Sequence, residues 1–281
     1  MIGIAEATER WQLADVRQIA DTPGSHVFRA RRANGAPVIV KLLKPRGMGE
    51  ISGMDYLEWR DGHGAITLLA RHANACLLQD AGLKTLEDLR AVEGEEEATR
   101  VFAAVLRALH APSPNKAPPR LVRLERHFAA LVEKRPPAMA PEQAENVAWA
   151  AATARDLLAT QTDVMPLHGD LHHENILADE TGTWRAIDPH GLIGDPVYDA
   201  ANFFGNPIGR PDITGDEDRI RLVARMVAPA LGCDEAKVLR YAAAHAALSA
   251  CWSMSDPVAE DDIRDADHRL ALLAVVRRML G

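Results

Sequence analysis

Val164-Met165-Pro166-Leu167-His168-Gly169-Asp170-Leu171-His172-His173-Glu174-Asn175-Ile176-Leu177 places eight residues, 168–175, between two apolar stretches. The octet reads as a polar loop. Trp184-Arg185-Ala186-Ile187-Asp188-Pro189 follows, a short strand ending in a carboxylate. Asn175 lies five residues beyond Asp170, and Asp188 lies eighteen beyond it.

Those three side chains match the needs of one reaction. Phosphoryl transfer to an alcohol requires a carboxylate to take or orient the hydroxyl proton, and hard oxygen ligands to hold Mg²⁺ against the phosphates. Mg²⁺ keeps several waters, so one carboxamide and one carboxylate suffice. A loop carrying Asp170 and Asn175, beside a strand end carrying Asp188, supplies all three groups. The alternative is an exposed polar loop with ordinary capping residues.

The pattern H-x-D-x-x-x-x-N followed by a metal-binding Asp resembles the protein-kinase arrangement. His168-Gly169-Asp170 resembles the aminoglycoside phosphotransferase branch of that fold. The run Leu167–Leu177, together with Ala186-Ile187-Asp188-Pro189-His190-Gly191-Leu192-Ile193-Gly194-Asp195-Pro196-Val197-Tyr198-Asp199-Ala200-Ala201-Asn202, is similar to the aminoglycoside/hydroxyurea antibiotic-resistance kinase family, which includes streptomycin 6-kinases. The resemblance is strongest over about residues 164–207 and extends more weakly through the N-terminal part. It implies that Asp170 is the catalytic base and that Asn175 and Asp188 bind Mg²⁺. His168 reads as a packing residue of the loop. His172 stands where many protein kinases carry a lysine that contacts phosphate. His172 and His173 lack further clustered ligands nearby, which argues against a transition-metal site. Asp195 precedes Pro196 and reads as a helix N-cap, while Asp199 is expected to brace the catalytic loop.

Working upstream, Val38-Ile39-Val40-Lys41-Leu42 is an apolar strand interrupted by one lysine. Kinases hold the α/β-phosphates with a lysine on their third strand, so Lys41 is the candidate. Lys44 is a competitor but lies beyond the run, next to Pro45. A helix carboxylate should orient Lys41. Glu50 and Glu58 are both available, and family resemblance favours Glu50, which opens the run to Leu57 and Trp59. Asp21-Thr22-Pro23-Gly24-Ser25-His26 is the expected phosphate-covering loop, with backbone N–H groups near Gly24 and Ser25 as the cradle. Its single glycine resembles the abbreviated loops of antibiotic kinases rather than G-x-G-x-x-G. Adenine is expected at backbone groups from Gln79 to Ala81, by fold analogy. No G-x-x-x-x-G-K-[ST] occurs, which excludes a P-loop fold.

The chain changes character near residue 80. Before it, β-like runs dominate: Val27–Arg31 and Pro37–Leu43 flank an Asn34-Gly35 hairpin turn, and Ile66–Ala70 and Ala75–Gln79 follow. Glu50 to Trp59 reads as a helix between the pairs. Beyond residue 80, Ala98, Val101, Phe102, Val105, Leu106 and Leu109 share one helical face, stopping near His110 because Pro112 cannot extend it. Pro112-Ser113-Pro114 with Pro118-Pro119, and Arg135-Pro136-Pro137, read as breaks. Pro141–Thr160 is helical. Val238, Tyr241, Ala242, His245, Leu248 and Trp252 outline a late helix, and Leu270, Leu273, Val276 and Leu280 the last. The expected architecture is α+β and bilobal, protein-kinase-like. A small sheet-rich N-lobe with one helix (residues 1–80) precedes a larger helical C-lobe (81–281), with ligand in the crevice between them.

Bulk properties fit a globular protein of 281 residues. Net charge is -8, from 32 Lys+Arg against 40 Asp+Glu, which argues against nucleic acid as partner. Cys76, Cys233 and Cys251 form no metal or disulfide pattern, so a reducing cytoplasm is expected. No apolar run approaches a membrane span. Acceptor recognition is expected from the helical lobe: Gly215-Asp216-Glu217-Asp218 and Glu260-Asp261-Asp262 are acidic runs that also read as helix starts, and Asn202 and Asn206 are further candidates. Three readings follow. The first is an ATP- and Mg²⁺-dependent O-phosphotransferase for a small-molecule hydroxyl, an aminoglycoside such as streptomycin or a hydroxyurea-like compound. The second is a kinase of an endogenous sugar or amino alcohol. The third is a catalytically silent nucleotide-binding module.

Overall fold

The computed structural model describes residues 1–113, 115–116, 120–133, 139–255 and 260–281. The expected breaks at Pro114, Pro118-Pro119 and Arg135-Pro136-Pro137, and the side chains of Glu260, Asp261 and Asp262, lie outside the described residues.

Helix α1 (Ile4–Trp11) precedes a five-stranded antiparallel sheet: β1 (Ala14–Asp21), β2 (Ser25–Arg31), β3 (Pro37–Leu43), β4 (Leu68–His72) and β5 (Ala75–Gln79), in the order β1-β2-β3-β5-β4. The Asn34-Gly35 turn closes the β2–β3 hairpin as expected: Gly35 takes φ 81°, and its N–H donates to Arg32 O at 2.8 Å. Side chains alternate across β3. Val38, Val40 and Leu42 pack with Ala7, Leu13 and Leu77 against α1. Ile39 and Lys41 therefore face the opposite side, toward the helical half.

The strand expected at Ile66–Ala70 begins two residues later. Ile66 N–H donates to Ala186 O at 3.0 Å and Ala186 N–H to Gly64 O at 2.9 Å, with Ala65 and Ala186 forming a parallel bridge. The backbone at 64–66 thus joins the second half before β4 starts.

The helix expected from Glu50 is two elements. A 3₁₀ turn, Pro45–Glu50, leads into α2 (Ile51–Arg60). Glu50 sits at the junction. Every α2 residue from Ser52 to Arg60 except Glu58 is buried.

The second half contains α3 (Leu86–Glu93), α4 (Glu95–His110), α5 (Pro141–Ala159), α6 (Glu217–Leu231), α7 (Glu235–Ser255) and α8 (Glu260–Leu280). Helix α4 ends at His110 as Pro112 requires, and its face from Ala98 to Leu109 is in the main core. Phe102 stacks on Phe203 at 3.9 Å, and Phe203 stacks on His173 of the loop at 4.0 Å. The catalytic-loop candidate is thereby fastened to the core from beneath. Helices α1 and α3 and strand β1 carry no expectation from the sequence, whereas α6 begins at the acidic run 216–218 that reads as a helix start. Among the described residues, no helix is long and apolar enough to cross a membrane.

Candidate active site

Four short strands frame the polar loop: β6 (Met165–Leu167), β7 (Ile176–Ala178), β8 (Trp184–Ala186) and β9 (Leu192–Gly194). β7 and β8 pair antiparallel, with Ile176 opposite Ala186. The hairpin therefore returns the chain to the loop, and Ile187 N–H donates to Asn175 O at 2.9 Å. That pairing is why an acid eighteen residues downstream of Asp170 follows a backbone bond to Asn175, at the end of the same loop. Asp188 itself takes φ 56°, a left-handed conformation unusual for a non-glycine residue.

The loop is held by buried polar contacts. His168 is fully buried; its Nε2 donates to Ile187 O at 2.9 Å and its Nδ1 accepts from Asp170 N–H at 3.2 Å. Burial lowers its pKa, consistent with a neutral ring that donates from one nitrogen and accepts at the other. Asp199 accepts from His168 N–H at 3.1 Å and Gly169 N–H at 2.7 Å, and from His110 Nε2 at 2.9 Å. It braces the loop as expected. Asp195 caps the turn Pro196–Ala200 through Val197 N–H at 3.1 Å and also pairs with Lys237 at 2.7 Å.

Asp170 has an amide donor on each carboxylate oxygen. Asn202 Nδ2 donates to Oδ1 at 2.8 Å, and Asn175 Nδ2 donates to Oδ2 at 3.1 Å. Burial pushes the Asp170 carboxyl up, but the nearby imidazoles of His190, His172 and His168 push it down further, and its pKa falls below the ordinary value. His190 Nε2 lies 3.8 Å and His172 Nε2 3.9 Å from Oδ2.

Lys41 reaches the same place from the sheet. Its ammonium pairs with Glu50 at 2.8 Å and with Asp188. Burial acts to lower the Lys41 pKa, yet Asp188 and Glu50 together outweigh it and the net shift is upward. Glu58 pairs with Arg71 at 2.8 Å on an exposed face, so Glu50 is the partner of Lys41. Lys44 is engaged by Asp21. Leu57 and Trp59 of the same run are buried.

Gly24 lies against this ion pair: a Cβ there would come 2.4 Å from Glu50 Oε1. Ser25 is buried, and its N–H donates to Thr22 Oγ1 at 3.0 Å. That N–H is engaged within the turn, so a phosphate using it must displace Thr22. Gln79 receives Thr67 N–H at its Oε1, 3.1 Å away, and donates its own N–H to Thr67 O at 2.9 Å. Ala81 is nearly buried.

A cavity of about 240 Å³ joins these parts. Apolar Ile39, Leu78, Leu177 and Ile187 line it, with Gln79 and Ala81 from the interlobe connection and with Lys41 and Asp188. A larger open depression of about 690 Å³ shares Gln79 and Asp80 but carries none of Lys41, Asp170, Asn175 or Asp188.

The acceptor-side expectations fare differently. Asp216 caps α6 through Asp218 N–H at 2.9 Å, and Glu217 pairs with Arg278 at 3.1 Å, so this acidic run is a helix start. Asn202 and Asn206 are 8% and 2% exposed, and their amides bond within the protein rather than lining an open pocket. The sequence reading misses His190, His127 and Trp252, which continue from Asp170 as a wall: His127 lies 6.0 Å from His190 and 4.9 Å from Trp252, ring centre to ring centre. It also misses Arg269, whose Nη1 donates to Asn202 Oδ1 at 3.1 Å. His190 could have been noted from its place two residues after Asp188; Arg269 has no local signal. Among the described residues no cluster of three or more His, Cys, Asp or Glu fit for a metal ion occurs.

The chain is similar to known proteins along most of its length. It is 35% identical to a streptomycin 3''-kinase of Klebsiella pneumoniae, covering 97% of this chain and 99% of that one. It is 30% identical to a streptomycin 6-kinase of Streptomyces griseus, covering 90% and 82%. The crystal structure of aminoglycoside phosphotransferase APH(4)-Ia superposes with a TM-score of 0.68 over 99% of this chain and 98% of that one, at 18% identity, a likeness of fold. Residues 10–257 match the family model described as aminoglycoside/hydroxyurea antibiotic resistance kinase, and the chain belongs to that family.

Proposed function

We propose that this protein transfers the γ-phosphoryl group of ATP to a hydroxyl of a small molecule, with an aminoglycoside of the streptomycin class as acceptor. The carrying observation is the meeting of Lys41, Glu50 and Asp188 beside the Asp170–Asn175 loop, at an apolar slot. The streptomycin kinases to which the chain is similar support the choice of acceptor.

Residues 1–80 form the nucleotide-binding lobe and 81–281 the acceptor-binding lobe. Adenine lies in the slot against backbone groups from Gln79 to Ala81. Lys41 holds the α/β-phosphates, and Glu50 holds Lys41. Gly24 and Ser25 close the turn over that end.

The donor set fits Mg²⁺. Asn175 directs its nitrogen at Asp170, which leaves its carbonyl oxygen as a ligand, and Asp188 offers a half-exposed carboxylate. Few hard oxygens with room for water are what Mg²⁺ takes. Asn175 and Asp188 would hold it, and when bound it neutralises phosphate charge. Asp170 accepts the hydroxyl proton as the acceptor oxygen attacks phosphorus. The new O–P bond forms, the bond to ADP breaks, and the proton stays on Asp170 until solvent removes it. The amides of Asn175 and Asn202 hold the carboxylate in the orientation this demands. Cys76, Cys233 and Cys251 are not joined in disulfides, which suits a cytoplasmic setting.

Incubation with ATP, Mg²⁺ and streptomycin, followed by ADP release and product mass, tests this. One phosphate added to streptomycin is the expected product. Phosphorylation of a sugar or amino alcohol in place of every aminoglycoside replaces the acceptor, and no acceptor-dependent ADP release at all overturns the kinase reading.

A further inference from the structure

Asn202 lies between the proposed base and a buried arginine. Its Nδ2 donates to Asp170 Oδ1 at 2.8 Å. On the other side two donors converge on its Oδ1: Arg269 Nη1 at 3.1 Å and Asn206 Nδ2 at 3.0 Å. A carboxamide oxygen has two acceptor sites, and both are filled. Turning the amide over would aim its NH₂ at two donors and its carbonyl at a carboxylate. Three attractive contacts would become repulsive.

The surroundings are built for this arginine. Arg269 is 4% exposed and is anchored by Asp265 Oδ1 at 3.3 Å, one helical turn earlier on α8. A Cβ at Gly205 would come 1.9 Å from Arg269 Nη1, so only glycine there leaves room for the guanidinium. A second buried arginine, Arg219, approaches the same segment but donates to backbone oxygens, Phe204 O at 3.0 Å and Asn206 O at 2.8 Å, with Glu95 as its counter-ion at 3.0 Å. One arginine thus holds the course of the backbone. The other holds the one side chain of that segment which touches Asp170.

We infer that Arg269 is a positioning residue for the proposed catalytic base: with Asn206 it fixes which end of the Asn202 amide faces Asp170, and so fixes the carboxylate. This rests on the reading of Asp170 as the base. Asn202 and Asn175 take one carboxylate oxygen each, so the plane of the carboxylate is set and its remaining lone pairs stay directed at an incoming hydroxyl. Without Arg269 the Asn202 amide loses the charged partner that orders it.

The test compares wild type, Arg269→Gln, Arg269→Lys, Asn202→Ala and the Arg269→Gln/Asn202→Ala double variant, with ATP and streptomycin. Arg269→Gln should lower kcat by about ten- to a hundredfold, a fraction of what a general base supplies, with KM for ATP and streptomycin within about twofold. Arg269→Lys should recover part of that loss. In the Asn202→Ala background, Arg269→Gln should cost no further kcat, although it still lowers Tm. Wild-type kcat in Arg269→Gln, or losses that multiply in the double variant, overturn the inference. Solvent exchange of the Asn202 Nδ2 protons, followed by NMR, requires no turnover. Slow exchange in wild type and faster exchange in Arg269→Lys are expected. Rapid exchange in wild type overturns the inference even if no arginine variant folds. If wild type leaves streptomycin untouched, the acceptor assignment fails while this exchange measurement still decides whether Arg269 orders the Asn202 amide.

Discussion

Gly53 of α2 lies so close to Pro189 that a Cβ on Gly53 would be 1.9 Å from the Pro189 carbonyl oxygen. The helix that follows Glu50 therefore docks directly on the peptide that follows Asp188, and Ser52 Oγ donates to His190 O at 2.7 Å alongside it. Gly53→Ala should push the two apart. The expected result is a stability loss of about 1–3 kcal/mol, typical of overpacking, with a larger fall in kcat/KM than in folded fraction. Denaturant titration and kinetics on the same samples separate the two.

Lys41→Met should lower kcat/KM by orders of magnitude, because phosphate positioning is lost. Glu50→Gln should act in the same direction but less, since Asp188 still pairs with Lys41. Glu58→Gln removes only an exposed pair with Arg71 and should leave kinetics and stability near wild type. Steady-state rates of the three variants check the assignment; equal damage from Glu50→Gln and Glu58→Gln would refute it.

Asp170→Asn should reduce kcat by about 10²–10⁴-fold, the usual contribution of a general base, and leave nucleotide affinity largely intact. Asp188→Ala should instead abolish Mg-nucleotide affinity or turnover. Calorimetric titration with Mg·ADP, set beside turnover, distinguishes the two carboxylates.

Stability should fall on acidification through neutral histidines. Burial lowers the pKa of His127 to about 3 and drives His245 well below its ordinary value. The unfolded chain protonates these rings near the ordinary imidazole value of about 6.5, before the folded chain does. Their contribution is therefore complete above about pH 6.5 and is lost as pH falls toward the folded pKa values. Tm measured from pH 8 down to pH 4 should decline below that point, and His127→Gln should flatten the slope.

The candidate site is legible in sequence where spacing follows the needs of the proposed reaction. Asp170, Asn175 and Asp188 stand out because that reaction would need a loop and a hairpin to supply three oxygens. Lys41 stands out as a charge in an apolar strand. Glu50 and Glu58 cannot be separated locally, since only the fold of the 3₁₀ turn Pro45–Glu50 decides which one meets Lys41. Strand β1 escapes notice because it is mostly exposed, so Ala14–Asp21 carries no alternation of apolar residues. Arg269 is hidden for a different reason. It reaches Asn202 from the last helix, and nothing in the neighbouring residues Asp267-His268-Leu270 marks it.

The backbone bridge between Ala65 and Ala186 constrains how the crevice opens. The connection at 79–82 would by itself be a single pivot, free to swing the sheet away from the helices. Residues 64–66 add a second pin, clasped to β8, which ends at Ala186 two residues before Asp188. The docking of Gly53 and Ser52 on Pro189 and His190 adds a third attachment, so the sheet does not swing freely from the helices. Nucleotide exchange should therefore keep these contacts and proceed by lifting of the 22–25 turn. Slow hydrogen exchange at the Ile66 amide, both with and without Mg·ADP, is the expected signature; loss of that protection on nucleotide release would show a freely swinging hinge instead.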